Sequence, residues 1–115
     1  MIVYSEMSKK PHILVICSRN KKRSLTAERM YKNDQRLVVR SAGTSPRAIH
    51  RVTKQDITWA DSILCMENKH RDMLQKTFGK SSLPTLWVAD IEDEYEYMDL
   101  ELVEMLQVEI ERVIS

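Results

Sequence analysis

The chain has little cysteine, little net charge and no long apolar run, and each shortage excludes a class of protein. Its two cysteines, Cys17 and Cys65, are too few for a disulfide framework, and neither has histidine or cysteine neighbours at zinc-ligand spacing. The net charge of +1 gives no overall basic field, so we expect no bulk nucleic-acid binding. No apolar run reaches the length of a membrane span, and residues 1–11 lack a signal-peptide pattern. These absences predict a cytoplasmic protein with reduced thiols, no membrane association and no bound metal.

What the chain does contain is the composition of an ordinary globular domain. Hydrophobic residues make up 43% and charged residues 30%, proportions typical of folded rather than disordered proteins. A length of 115 residues indicates one domain with a core of its own. We therefore expect residues 1–115 to form a single domain, with residues 1–10 as a candidate loose arm at its start.

Segments of strand character alternate with segments of helical character. The strand candidates are the apolar runs at 12–17, 36–44, 61–66 and 83–89. The first helix candidate begins at Ser24. The other three are residues 52–60, residues 67–78 and the amphipathic segment 100–114. This alternation predicts an α/β fold, a single open four-stranded parallel sheet with helices on both faces. In such sheets the ligand site lies beyond the carboxyl ends of the strands, which is where Cys17 falls.

The segment Cys-Ser-Arg-Asn-Lys-Lys-Arg-Ser, residues 17–24, joins the first strand to the first helix. A curled loop here would point its backbone N–H groups inward, and the positive end of the helix dipole would add to them. Arg23 is suited to bind two oxygens of the same anion through its planar guanidinium. Cys17 at the base of such a loop is expected to ionise and to attack phosphorus. The predicted phosphate-binding residues of this loop are Ser18, Arg19, Asn20, Lys21, Lys22, Arg23 and Ser24.

This loop resembles the phosphate loop of the low-molecular-weight protein tyrosine phosphatases, which reads Cys-x5-Arg-Ser directly after the first strand. The resemblance implies that Cys17 is the catalytic nucleophile and that Arg23 binds the phosphate. It also implies that Ser24 donates a hydrogen bond toward the sulfur. Asn20 would hold the strained loop, braced by Ser41, the first residue of the matching segment Ser-Ala-Gly-Thr.

Two later segments extend the resemblance over nearly the whole chain. Residues 53–74 resemble the family's next helix, strand and helix, and residues 90–95, Asp-Ile-Glu-Asp-Glu-Tyr, resemble its late Asp-Pro-Tyr loop. The resemblance implies that Asp93 is the general acid and that Tyr95 forms an aromatic wall of the substrate cleft. It also implies a two-step hydrolysis through a phosphocysteine, without metal or other cofactor. Asp90 and Asp99 are alternative candidates for the acid.

The chain departs from the family pattern in the loop and in its length. Arg19 stands where the family usually has glycine, and Lys21 and Lys22 add further cations beside Arg23. These three residues, called the basic rim below, predict a substrate with more negative charge than one phosphotyrosine; a merely solvated face is the simpler interpretation. The chain is also shorter, because the segment 41–53 stands where the family has a substantial insertion. We therefore expect a shallower cleft.

The sequence thus predicts a phosphomonoester hydrolase, most simply a protein tyrosine phosphatase, whose partners are phosphorylated proteins or small phosphomonoesters. We expect a monomer or a weak homodimer. Two alternatives stay open: an arsenate reductase of the same fold, for which Cys65 would supply only one of the two further relay cysteines required, and a non-catalytic module that binds phosphate or nucleotide. We expect Cys65 to be a buried hydrophobic residue rather than a redox partner of Cys17. We expect His70 to be a surface residue.

Overall fold

A computed structural model describes residues 10–115, in which four strands form one sheet. The strands are β1 (His12–Cys17), β2 (Val38–Gly43), β3 (Ser62–Cys65) and β4 (Thr85–Val88), in the spatial order β2-β1-β3-β4. Each neighbouring pair is parallel, which confirms the predicted open parallel sheet. The candidate arm at residues 1–10 lies, apart from Lys10, outside the described residues.

Helices cover both faces of the sheet, as the alternation predicted. They are α1 (Arg23–Met30), α2 (Lys54–Trp59), α3 (Asn68–Phe78) and α4 (Leu100–Ile114). Residues of α1 and α4 belong to the core on one face, and residues of α2 and α3 belong to the core on the other. None of the helices in the described part of the chain is long and apolar enough to cross a membrane.

The central strand β1 is buried on both faces, which explains its continuous apolar sequence. Ile13, Val15 and Cys17 face the core beneath α1 and α4, whereas Leu14 and Ile16 face the opposite core. None of these five residues is more than 3% exposed. Close packing on both faces therefore fixes the position of Cys17 at the carboxyl edge of the sheet.

Local signals fix the ends of the helices. The Asp56 N–H donates to Thr53 Oγ1 and the Thr53 N–H donates to the Asp56 carboxylate, so the two form a capping box at the start of α2. Gly79, with a φ of 87°, ends α3 in a backbone conformation that favours glycine. The Asp99 carboxylate accepts the Glu101 N–H at 2.9 Å and caps α4.

Candidate active site

The loop between β1 and α1 is held by hydrogen bonds from the segment that follows β2. The carbonyl oxygens of Cys17, Ser18 and Arg19 each accept one backbone N–H. The donors are Thr44, Ser45 and Ile49, at 3.0, 2.9 and 3.0 Å respectively. Because these three carbonyls turn toward the neighbouring segment, the loop is fixed as a curl.

Gly43, at the end of β2, lets the two segments approach this closely. A side-chain carbon there would lie 2.5 Å from the Ser18 carbonyl oxygen, 2.6 Å from Ala48 Cβ and 3.0 Å from the backbone nitrogen of Asn20. The first two separations are far inside van der Waals contact, which begins at about 3.5 Å between carbon atoms. The loop can therefore keep its shape only while this position is glycine.

The backbone N–H groups of residues 18–22 are free to bind a ligand. Within the range 10–115, none of them donates to a backbone carbonyl. Asn20 adopts a left-handed backbone conformation with a φ of 55°, a conformation that asparagine tolerates better than most residues. A left-handed residue in the middle of the loop, with the three preceding carbonyls turned toward the neighbouring segment, favours convergence of these N–H groups, and this arrangement is called the anion nest below.

Three buried polar side chains meet beneath the nest. Asn20 Nδ2 donates to Ser24 Oγ at 2.8 Å, and Ser24 Oγ lies 3.0 Å from Cys17 Sγ. Because the serine oxygen already accepts the amide proton, its own hydroxyl proton is free to point at the sulfur. All three residues are at most 3% exposed. Ser24 is therefore placed to donate a hydrogen bond to the sulfur.

The Arg23 guanidinium is 1% exposed, and the protein satisfies only part of it. Its Nη1 donates to Glu67 Oε2 at 2.5 Å and to the Ile91 carbonyl oxygen at 2.8 Å. Its Nε and Nη2 are buried and have no hydrogen-bond partner among the described residues. Buried donors without acceptors are rare because they are costly, so this edge of the guanidinium has the capacity to bind an anion. Two donors in one plane match two oxygens of a tetrahedral anion.

Glu67 is the site residue that the sequence reasoning missed. Burial by itself raises the pKa of this carboxyl group, but the hydrogen bond and charge of Arg23 outweigh burial and hold the pKa below its usual value. The ionised carboxylate fixes one end of the guanidinium. Glu67 lies two residues beyond β3, at the same edge of the sheet as Cys17, and this placement was the signal available in the sequence.

Of the three acid candidates, Asp93 is the one that reaches the loop. Its Oδ1 lies 3.7 Å from Arg23 Nε, and its side chain shares a pocket with Cys17. Asp99 is engaged as the N-cap of α4. Asp90 is exposed and does not line this pocket.

These groups enclose a small polar pocket of about 150 Å³. Its lining residues are Cys17, Arg19, Lys21, Lys22, Arg23 and Asp93. Four cations and one carboxylate give the lining a net positive charge, and the pocket opens over the sulfur. Its size and charge suit a small anion.

Comparison with known proteins gives matches among solved structures, whereas no protein-family model and no curated protein matches the sequence. The YwlE arginine phosphatase from Geobacillus stearothermophilus is 22% identical, with a TM-score of 0.64, over 90% of this chain and 88% of its own. Vibrio vulnificus Wzb, solved with benzylphosphonate, is 22% identical, with a TM-score of 0.66; the match covers 87% of this chain and 92% of Wzb. The low-molecular-weight protein tyrosine phosphatase from T. tengcongensis is 19% identical, with a TM-score of 0.68; the match covers 90% of this chain and 99% of that phosphatase.

The fold is that of the low-molecular-weight protein tyrosine phosphatases. This likeness confirms the resemblance drawn from the sequence, with the β1–α1 loop in the place of the family's phosphate loop. At these identities the likeness concerns the fold, and the chemistry has to be argued from the site itself.

Ser41 does not brace Asn20 in this version of the phosphatase fold, contrary to the prediction. Its hydroxyl and its backbone N–H both donate to Glu28 Oε1, at 2.7 and 2.8 Å. The sheet register explains the difference, because Ser41 pairs with Val15 and so lies two residues short of the loop. Asn20 is held from within the loop by Ser24 instead.

His70 is buried at 1% exposure, so its prediction as a surface residue was wrong. Its Nδ1 accepts the Glu67 N–H at 3.0 Å, which leaves the proton on Nε2 to be donated to Ser18 Oγ at 2.9 Å. Burial, together with the charge of Arg23, lowers the pKa of His70 to about 4, so the ring is neutral near pH 7. The spacing of His70 and Leu74, both on the buried face of α3, was the signal overlooked.

Tyr95 does not form a wall of the phosphate pocket, contrary to the prediction. Its ring packs against the core shared with α4, and its hydroxyl donates to Glu101 Oε2 at 3.3 Å. No aromatic side chain lines the phosphate pocket in residues 10–115. Charged side chains therefore dominate the lining of this pocket.

Cys65 is fully buried, which confirms its prediction as a core residue. It belongs to the core on the opposite face of the sheet from Cys17. Burial raises the pKa of the Cys65 thiol to about 12, which makes it a poor nucleophile. Thiols on opposite faces cannot be bridged without backbone movement, so Cys65 is not positioned to form a disulfide with Cys17.

Proposed function

We propose that this chain is a metal-independent phosphomonoester hydrolase that works through a phosphocysteine intermediate. The observation that carries the proposal is the position of Cys17 Sγ beneath an anion nest, beside two unsatisfied nitrogens of a buried arginine. A thiol in the core of a protein has no need of such surroundings. The named neighbours of the same fold, which include tyrosine and arginine phosphatases, support this reaction class.

In the first step Cys17 Sγ attacks phosphorus, so that a sulfur–phosphorus bond forms while the bond to the leaving oxygen breaks. The loop N–H groups and the free edge of Arg23 stabilise the three equatorial oxygens of the transition state. Asp93 gives its proton to the leaving oxygen. The remaining phosphoryl group stays in the pocket, bound to sulfur.

In the second step water attacks the phosphocysteine, and the sulfur–phosphorus bond breaks. Asp93, now ionised, takes a proton from the attacking water. Ser24 donates its hydroxyl proton toward the departing thiolate, a role that fits its 3.0 Å distance from the sulfur. Inorganic phosphate then leaves the pocket.

Aryl phosphates, with phosphotyrosine among them, fit this site better than phosphoarginine does. A guanidinium leaving group would approach a pocket lined by four cations, and like charges at this range repel. A phenolic leaving group carries no such penalty. The arsenate-reductase alternative loses its candidate relay thiol, because Cys65 faces the other core.

The test is hydrolysis of para-nitrophenyl phosphate in the presence of a metal chelator. We expect turnover that vanadate inhibits, because vanadate imitates the transition state. Cys17→Ser should abolish turnover and retain phosphate binding, whereas the matched control Cys65→Ala should stay active because its thiol faces away. Full activity of Cys17→Ser would refute the mechanism. Phosphate binding without hydrolysis, and without an effect of Asp93→Asn, would favour the non-catalytic module.

A further inference from the structure

The basic rim contains more cations than a single phosphate needs. A tetrahedral anion in the pocket is already offered the N–H groups of residues 18–22 and the two free nitrogens of Arg23. These donors outnumber the three oxygens that a phosphoryl group presents. Arg19, Lys21 and Lys22 are therefore available for another purpose.

The rim cations differ in how the protein neutralises them. Lys22 Nζ lies 3.1 Å from Glu96 Oε2, so its charge is partly compensated. Arg19 and Lys21 are exposed, and neither forms an ion pair with an acidic residue of the described chain. The overall charge of only +1 means that this clustering does not follow from composition. Like charges gathered around one pocket repel each other, and an anionic ligand relieves that repulsion.

We propose that Arg19 and Lys21 select phosphomonoesters that carry a second anionic group, a carboxylate or another phosphate, close to the phosphate that is cleaved. This inference rests on the proposed function for the identity of the cleaved group. The lining of the phosphate pocket supports it, because its described side chains are mostly charged and recognise a ligand chiefly by charge. Exposed ion pairs contribute up to about 1 kcal/mol each, which corresponds to roughly a fivefold change per cation.

Binding can be measured separately from hydrolysis with a matched pair of ligands that cannot be cleaved. Phenylphosphonate and meta-carboxyphenylphosphonate differ only in one carboxylate. Calorimetry should show that the wild-type protein binds the carboxylated ligand several-fold more tightly. The preference should disappear in the double variant Arg19→Gln/Lys21→Gln and persist in the control Lys76→Gln, which removes an exposed lysine of α3 far along the chain from the loop.

The hydrolysis arm compares phenyl phosphate with meta-carboxyphenyl phosphate, each followed by release of inorganic phosphate. In the wild-type protein we expect kcat/KM to be several-fold higher for the carboxylated ester than for phenyl phosphate, and in the double variant we expect the two values to be nearly equal. Equal binding of the two phosphonates by the wild-type protein would overturn the proposal, as would a preference that survives in the double variant. If the binding preference holds and neither ester is cleaved, the hydrolase proposal fails and two-anion recognition stands.

Discussion

Replacing Gly43 by alanine tests whether the shape of the loop creates the anion site. The added carbon would meet the Ser18 carbonyl oxygen at 2.5 Å and Ala48 Cβ at 2.6 Å. Overpacking of this kind costs about 1–3 kcal/mol. The Ser18 carbonyl oxygen belongs to the backbone, so the strain can be relieved only by moving the loop away from β2. That movement would break the hydrogen bonds that the loop carbonyls accept from the segment after β2. We expect phosphate affinity to fall by roughly tenfold or more, because losing about 1.4 kcal/mol of binding is enough for that.

Gly79→Ala is the matched control for this variant. Gly79 has a φ of 87° but open space around it, with the nearest atom 3.9 Å from the added carbon. The Gly79→Ala variant should therefore lose about 1–3 kcal/mol of stability through backbone strain and keep its affinity for phosphate. Urea unfolding and calorimetric titration with inorganic phosphate measure the two quantities. If Gly43→Ala binds phosphate as tightly as Gly79→Ala does, the loop does not depend on this close approach, and our reasoning about the site is wrong.

Three further predictions concern groups around the loop. The pKa of His70 is lowered from 6.5 to about 4 in the folded protein. Between these pH values the unfolded state therefore binds more protons than the folded state. On the order of 3 kcal/mol of stability is lost as the pH falls through this window. His70→Gln should flatten this dependence in urea unfolding, and an unchanged slope would contradict the assignment. Asp99→Ala should cost about 1 kcal/mol of stability and leave kcat unchanged, whereas a large fall in kcat would make Asp99 the acid. Glu67→Gln should weaken phosphate binding severalfold, because Arg23 exchanges a charged hydrogen-bond partner for a neutral one and is held less firmly; tighter binding would show that the carboxylate acts as a competing anion.

The features predicted well from the sequence are those that neighbouring residues decide. The apolar run of β1 and the amphipathic pattern of α4 each depend on residues close together in the sequence. The order of these elements then determines where the loop lies, because parallel sheets place their sites at the carboxyl edge.

The features predicted poorly are those decided by contacts between distant segments. Ser41 was assigned to Asn20, but the register of β2 against β1 brings it to Glu28. Tyr95 turns toward α4, a direction that the sequence of its own loop does not specify. His70 is buried because α3 packs against the loop, and the polar residues around it in the sequence conceal that burial.

If Cys17 attacks phosphorus, a phosphocysteine should be present while the protein hydrolyses para-nitrophenyl phosphate, and mass spectrometry of protein quenched during turnover can detect it. We expect one added phosphoryl group on the peptide that contains Cys17, and none on the same peptide of the Cys17→Ala variant. Release of nitrophenolate with no phosphorylated Cys17, or with the phosphoryl group on another residue, would contradict this mechanism.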